Sequence, residues 1–166
     1  MNKQRPIAAF LLVFALQFGA FAVCAAEAEW QAFDRLGSGD RVLAEATLAP
    51  MFGDDPDLWP DWLDPRAVLI PVGRDGSLLV VRQPYRMPCG QYLFTIFASP
   101  GPDGTRERLG SGFCAGDLAV APVRGGGLPD LLFSEGYQQD ASDGIWRRVD
   151  QRVRWNGTGW DQIIKK

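Results

Sequence analysis

The chain has 166 residues, 46% of them hydrophobic, with seventeen Lys and Arg against twenty Asp and Glu, a net charge of −3. That acidity makes the chain a poor candidate for a nucleic-acid ligand held through its phosphates, which demand a basic face. There is no histidine, which removes serine–histidine triads, histidine proton shuttles and most catalytic zinc sites.

Residues 1–28 read as a cleaved secretory leader. Lys3 and Arg5 come first, an apolar run follows from Ile7 to Val23, and small residues close it at Ala26-Glu27-Ala28. A membrane anchor is the competing reading, but the run is at the short end of the ~17–25 residues that span a bilayer. Acids follow it at once, as cleavage favours. Lipidation at Cys24 is a further alternative, with Val23 before it where a small residue is usual. The expected product is a single domain over residues 29–166, periplasmic or secreted, with no membrane span after cleavage. Cys24 leaves with the leader. Cys89 and Cys114 remain, an even pair in an oxidising compartment. Bridging the loop between them contributes about 3.5 kcal/mol in the chain-entropy picture.

Along the mature chain, Trp30, Phe33 and Leu36 have the spacing of one short helix, which Gly37-Ser38-Gly39 breaks. Val42–Leu48 fits helix or strand. The stretch from Pro50 to Pro65 is acidic and rich in proline, and reads as an ordered loop. From Arg66 onward the text is β. Ala67–Val72 and Ser77–Arg82 flank Gly73-Arg74-Asp75-Gly76 as a hairpin. Gln91–Ala98 is aromatic and β-branched. Leu118–Val123 and Leu131–Phe133 are short strands, and Ser99–Gly104 is a turn. In Ile145–Trp155, Val149, Val153 and Trp155 share one parity and Arg148, Arg152 and Arg154 the other. Asn156-Gly157-Thr158-Gly159 turns the chain onto Trp160–Ile164. The asparagine is in a glycosylation sequon that reads as turn chemistry. The fold class expected is mainly β, a small antiparallel domain, propeller-like or sandwich, with one short N-terminal helix.

Candidate binding residues follow from these turns. Ser99–Ser111 is a Gly/Ser/Pro-rich excursion tethered by the cysteine pair. Ser99, Asp103, Gly110, Ser111 and Gly112 are therefore assigned to partner contact. Trp59 and Trp62 lie beside acids; burial in the core is the ordinary reading of a tryptophan, and a hot spot or stacking platform is the binding role assigned to them. Asp54, Asp55, Asp57, Asp61 and Asp64 lack the spacing of a calcium loop and read as turn caps. The charge is uneven: Glu29–Asp64 holds nine acids and two bases, whereas the rest holds ten acids and thirteen bases. The acidic part is suited to steering a basic partner. No catalytic residue, metal or cofactor is assigned.

Cys114-Ala-Gly-Asp-Leu-Ala-Val120 followed by Gly126-Gly-Leu-Pro-Asp-Leu-Leu-Phe133 resembles the FG-GAP/VCBS segments of β-propellers and small secreted bacterial proteins. Gly125-Gly126-Gly127 replaces the acidic turn of those repeats. Arg154-Trp155-Asn156-Gly157 through Trp160 is similar to the Trp-x-Gly ending of the same secreted proteins. The overall type is similar to periplasmic immunity proteins and lysozyme inhibitors. That resemblance implies a protein partner, a peptidoglycan hydrolase or toxin, blocked sterically and without catalysis. A carbohydrate- or envelope-binding module, or a structural envelope protein, is the alternative.

Overall fold

The computed structural model describes residues 25–84, 91–121 and 127–163. Cys89, residues 1–24 of the expected leader, Val123, Gly125, Gly126 and Ile164 lie outside the described residues. The described residues form ten strands and one α-helix: β1 (Ala26–Glu27), β2 (Gln31–Ala32), α1 (Ser38–Phe52), β3 (Arg66–Val72), β4 (Gly76–Pro84), β5 (Tyr92–Phe97), β6 (Arg108–Ala115), β7 (Asp117–Ala121), β8 (Asp130–Gln139), β9 (Trp146–Trp155) and β10 (Trp160–Gln162). They make two antiparallel five-stranded sheets, an inner one ordered β2-β3-β4-β5-β6 and an outer one ordered β1-β7-β8-β9-β10. The architecture is mainly β, as the strand spacing predicts; of the propeller-like and sandwich alternatives, the two sheets packed on each other make it a sandwich, with α1 on the free face of the inner sheet.

Two layers of core explain the wording of the central strands. Val68, Ile70, Leu78, Val80, Phe94 and Ile96 pack against Leu118, Leu131, Phe133 and Val153 of the outer sheet. Their neighbours Ala67, Leu79, Val81 and Phe97 pack against Ala44 and Leu48 of α1. A strand covered on both faces has no polar parity, hence the unbroken Leu78-Leu79-Val80-Val81. The predicted hairpin is observed, with Val72 opposite Gly76 and Gly73 at φ +63°.

The helix begins where the sequence predicts a break. Gly37 caps it, its carbonyl accepting from the Arg41 amide at 2.8 Å, and Asp40 in the first turn suits the positive helix end. The buried stripe is Ala44 and Leu48, with Phe52 half-buried one turn on. The helical spacing of Trp30, Phe33 and Leu36 has another origin. Gln31–Ala32 pair with Ala67 and Arg66, and a 3₁₀ turn over Phe33–Arg35 then buries Phe33 and Leu36. Trp30 packs on Phe94, ring centroids 5.8 Å apart.

One continuous stretch joins the sheets. β6 ends the inner sheet, and Gly116 passes the chain to β7, its amide donating to Ser134 O at 2.8 Å. β8 is longer than Leu131–Phe133, because Gly136–Gln139 pairs with β9 although it has no apolar alternation. A bulge at Glu135 (φ +56°) divides β8. Gly136 follows it, and a Cβ there would stand 2.5 Å from Cys114 O. At the N-terminus, Ala26–Glu27 pairs with Val120–Ala119, and the Ala28 amide donates to Leu118 O. Cleavage after residue 28 would remove this strand, whereas a cut before Ala26 would keep it.

Candidate functional site

The β5–β6 hairpin carries the loop that the sequence marks for binding. Its excursion is shorter than Ser99–Ser111. The Ala98 amide already donates to Glu107 O at 2.7 Å, and β6 begins at Arg108. Gly110, Ser111 and Gly112 therefore belong to a strand. Gly110 and Ser111 pair with Ile96 and Thr95. Gly110 lies beneath the Trp160 ring, where a Cβ would come within 3.0 Å of the indole, and Gly112 takes φ +83° beside a bulge. The exposed tip is Pro100–Thr105.

Hydrogen bonds fix that tip. Asp103 Oδ1 accepts from the Thr105 amide at 3.0 Å and the Thr105 hydroxyl at 2.7 Å. The Thr105 hydroxyl, then its amide, holds the Asp103 carboxyl below the usual carboxylate range. The Gly101 amide donates to Thr105 O at 2.7 Å, and the Gly104 amide donates to Gly101 O at 2.9 Å. Gly104 supplies the left-handed conformation, φ +79°. Ser99 packs below the tip against the β3–β4 turn, its Oγ filling the space a Cβ on Gly76 would need.

The root of the loop is Arg106, whose side chain is only 3% exposed. Its guanidinium grips Asp40 with two bonds, Nε to Oδ1 at 2.6 Å and Nη2 to Oδ2 at 3.1 Å. It also donates to Ser77 O, Ser77 Oγ and Ala98 O. A planar fork with five donors meets the first turn of α1, the β4 strand and the end of β5 together. A cleft of about 510 Å³ lies beside it, between Gly104–Arg106 and the residues Ser38–Leu43 of α1.

Trp59 and Trp62 sit at the other end of α1. A fifteen-residue helix separates its ends by about 20 Å. The structure therefore gathers the two tryptophans around Phe52 and not at the loop. Trp59 is half-buried, with its indole N–H on Gly53 O at 2.9 Å. Trp62 is 57% exposed. Both rings touch Phe52, at 6.3 and 6.0 Å. Asp55 caps a 3₁₀ turn over Pro56–Leu58, accepting from the Asp57 amide at 3.0 Å. Asp64 pairs with Arg66 at 2.7 Å and Arg82 at 3.4 Å. Among the described residues, no three acidic or thiol side chains converge as metal ligands. Cys114 lies on β6 opposite Leu93, and its side chain is engaged.

Three charged residues escape a reading of the sequence. Arg106 is one. Asp130, with no exposed surface, is the second: it accepts four bonds of 2.6–2.8 Å from Arg152 and Arg154. The Arg154 hydrogen bond lowers its pKa, and burial opposes that shift. Arg82 is the third, its guanidinium 5.0 Å from the Trp30 ring centre and 4.6 Å from that of Tyr92. The shared parity of Arg152 and Arg154 was visible in the sequence, but their common carboxylate was not. No family model matches the chain, and neither a curated protein nor a solved structure matches it.

Proposed function

We propose that this chain is an exported protein-binding domain, an inhibitor or immunity protein that blocks a cell-wall hydrolase with its β5–β6 loop. One observation carries the reading: an exposed tip, Pro100–Thr105, stands on a root whose guanidinium makes five bonds into the body. A loop already held in one shape loses little conformational entropy on docking, so its contacts convert to affinity. The contact residues of the proposal are Ser99, Asp103 and the tip between them. Gly110, Ser111 and Gly112 act by setting the strand that supports it.

Export and oxidation complete the reading. The leader points to a periplasmic or secreted site, where a Cys89–Cys114 bridge would tie the far end of β6, and Cys114 is not a free thiol. The resemblance to periplasmic inhibitors favours a hydrolase or toxin as partner. The test is inhibition of a panel of purified peptidoglycan hydrolases by the mature protein. Inhibition that weakens by about 1 kcal/mol or more in Asp103→Ala is expected for a loop anchor. No inhibition of any hydrolase, or full inhibition by Asp103→Ala and Thr105→Ala alike, overturns the proposal. Exposed Trp62 favours a second reading, stacking on an envelope glycan. Quenching of indole fluorescence by muropeptides, abolished in Trp62→Ala, would identify it.

A further inference from the structure

The far end of α1 presents an apolar surface with a definite electrical surround. Met51, Leu58 and Trp62 are 44%, 78% and 57% exposed. They have a fixed base: Phe52 takes the Trp62 ring edge-on and the Trp59 ring tilted, and Trp59 is hydrogen-bonded to Gly53. Trp and Met are enriched at the centres of protein interfaces.

The surround is acidic. No Lys or Arg occurs between Arg41 and Arg66, while six acids do. Two of the six are committed, Glu45 to Arg41 and Asp64 to Arg66 and Arg82. Asp54, Asp55, Asp57 and Asp61 remain, all exposed. Among the described residues none of these four has a cation within 4.0 Å. Elsewhere five of the described arginines are paired with acids, Arg148 with Glu135 among them. Arg147 holds Asp140 and Asp143, and Arg106, Arg152 and Arg154 hold Asp40 and Asp130.

We infer that this lobe docks a cationic protein surface, one presenting an apolar side chain within a ring of Lys or Arg. It deepens the protein-binding reading, of which it would be a second contact, about 20 Å from the loop by the rise of α1. Charge selects the occupant. An anionic membrane or a nucleic acid is repelled by four uncompensated carboxylates. A second copy is a poor complement, because its other exposed apolar group (Tyr137, Ile145 and Trp146) lies in residues 135–150, which carry four acids and two bases. A basic partner gains attraction at long range and then covers Leu58 and Trp62 at contact.

The test uses the mature full chain and a labelled short peptide of alternating lysine and leucine, read by fluorescence anisotropy. Lysine-only and serine–leucine peptides of equal length are the controls. The lysine–leucine peptide should bind, with each control at least about tenfold weaker. Leu58→Ser with Trp62→Ser should weaken it about tenfold. The combined Asp54→Asn, Asp55→Asn, Asp57→Asn and Asp61→Asn variant keeps the cap and should do the same, as should raising salt from about 0.05 to about 0.5 M. Asp103→Ala should bind the peptide normally, which separates this surface from the loop. A melting temperature within about 2 °C of the parent qualifies each variant as folded. The inference is overturned if the lysine-only peptide binds as well, if the lobe variants bind undiminished, or if muropeptides or neutral lipid vesicles occupy the lobe instead. Hydrolase inhibition lost in Asp103→Ala alongside any of those results would leave the loop reading standing and remove only this one.

Discussion

Arg106 and Asp130 are buried charges of opposite sign, and they do different work. Arg106 is a buried cation whose partners come from far along the chain: Asp40 in α1, Ser77 in β4 and Ala98 after β5. Asp130 is a buried anion whose two arginines sit side by side on the adjacent strand. The first ties a loop to three elements. The second ties two neighbouring strands of one sheet. Long-range bonding at the root of a loop holds that loop's shape, whereas local bonding across a ladder stiffens only the ladder.

Mutations can break this contrast. Arg106→Ala strips Asp40 of its ion pair and leaves Ser77 O and Ala98 O without their donor, so a loss of about 3–4 kcal/mol is expected, read from urea unfolding. Asp130→Asn keeps the shape but leaves two guanidinium groups without a countercharge. Arg152 and Arg154 are 36% and 52% exposed, so water softens the effect to about 2 kcal/mol. Gly136→Ala must displace the Cys114 carbonyl and should cost about 1–2 kcal/mol. Thr105→Ala removes one exposed hydroxyl bond, and a change within about 0.5 kcal/mol is expected. The loop variant should therefore alter partner inhibition far more than melting, and the Asp130 variant the reverse.

The pH profile sharpens the comparison. Asp130 has its folded pKa lowered by Arg154. Its contribution is therefore full above the unfolded carboxylate value near 3.9 and is lost as pH falls through the folded value. With no histidine in the chain, the melting temperature should stay flat from about pH 5.5 to about pH 8 and drop only below about pH 4. A step near pH 6.5 would contradict this assignment of charges.

The β architecture was legible because turn chemistry is local. Gly73–Gly76 and Asn156–Gly159 announce their hairpins, and Asn156 Oδ1 indeed accepts from the Thr158 and Gly159 amides. The helix was hidden because its buried stripe is thin: Ala44 is small, and the glycines at positions 37 and 39 read as a break when Gly37 is the cap. The loop was visible as Ser99–Ser111, but its length was not. Whether Gly110-Ser111-Gly112 is loop or strand depends on the pairing with Thr95 and Ile96, and glycine-rich text carries no parity. The root was invisible, since nothing near Arg106 in the sequence points to Asp40, sixty-six residues away.

The proposed binding role requires the Pro100–Thr105 tip to hold its shape before any partner arrives. Amide hydrogen exchange of the isolated mature protein tests it most directly. The Gly101, Gly104 and Thr105 amides, each hydrogen-bonded within the loop, should be protected by about tenfold or more over a free peptide. That protection should vanish in Arg106→Met while β4 and β5 stay protected. Free-peptide exchange at all three amides in the unmutated protein would contradict it.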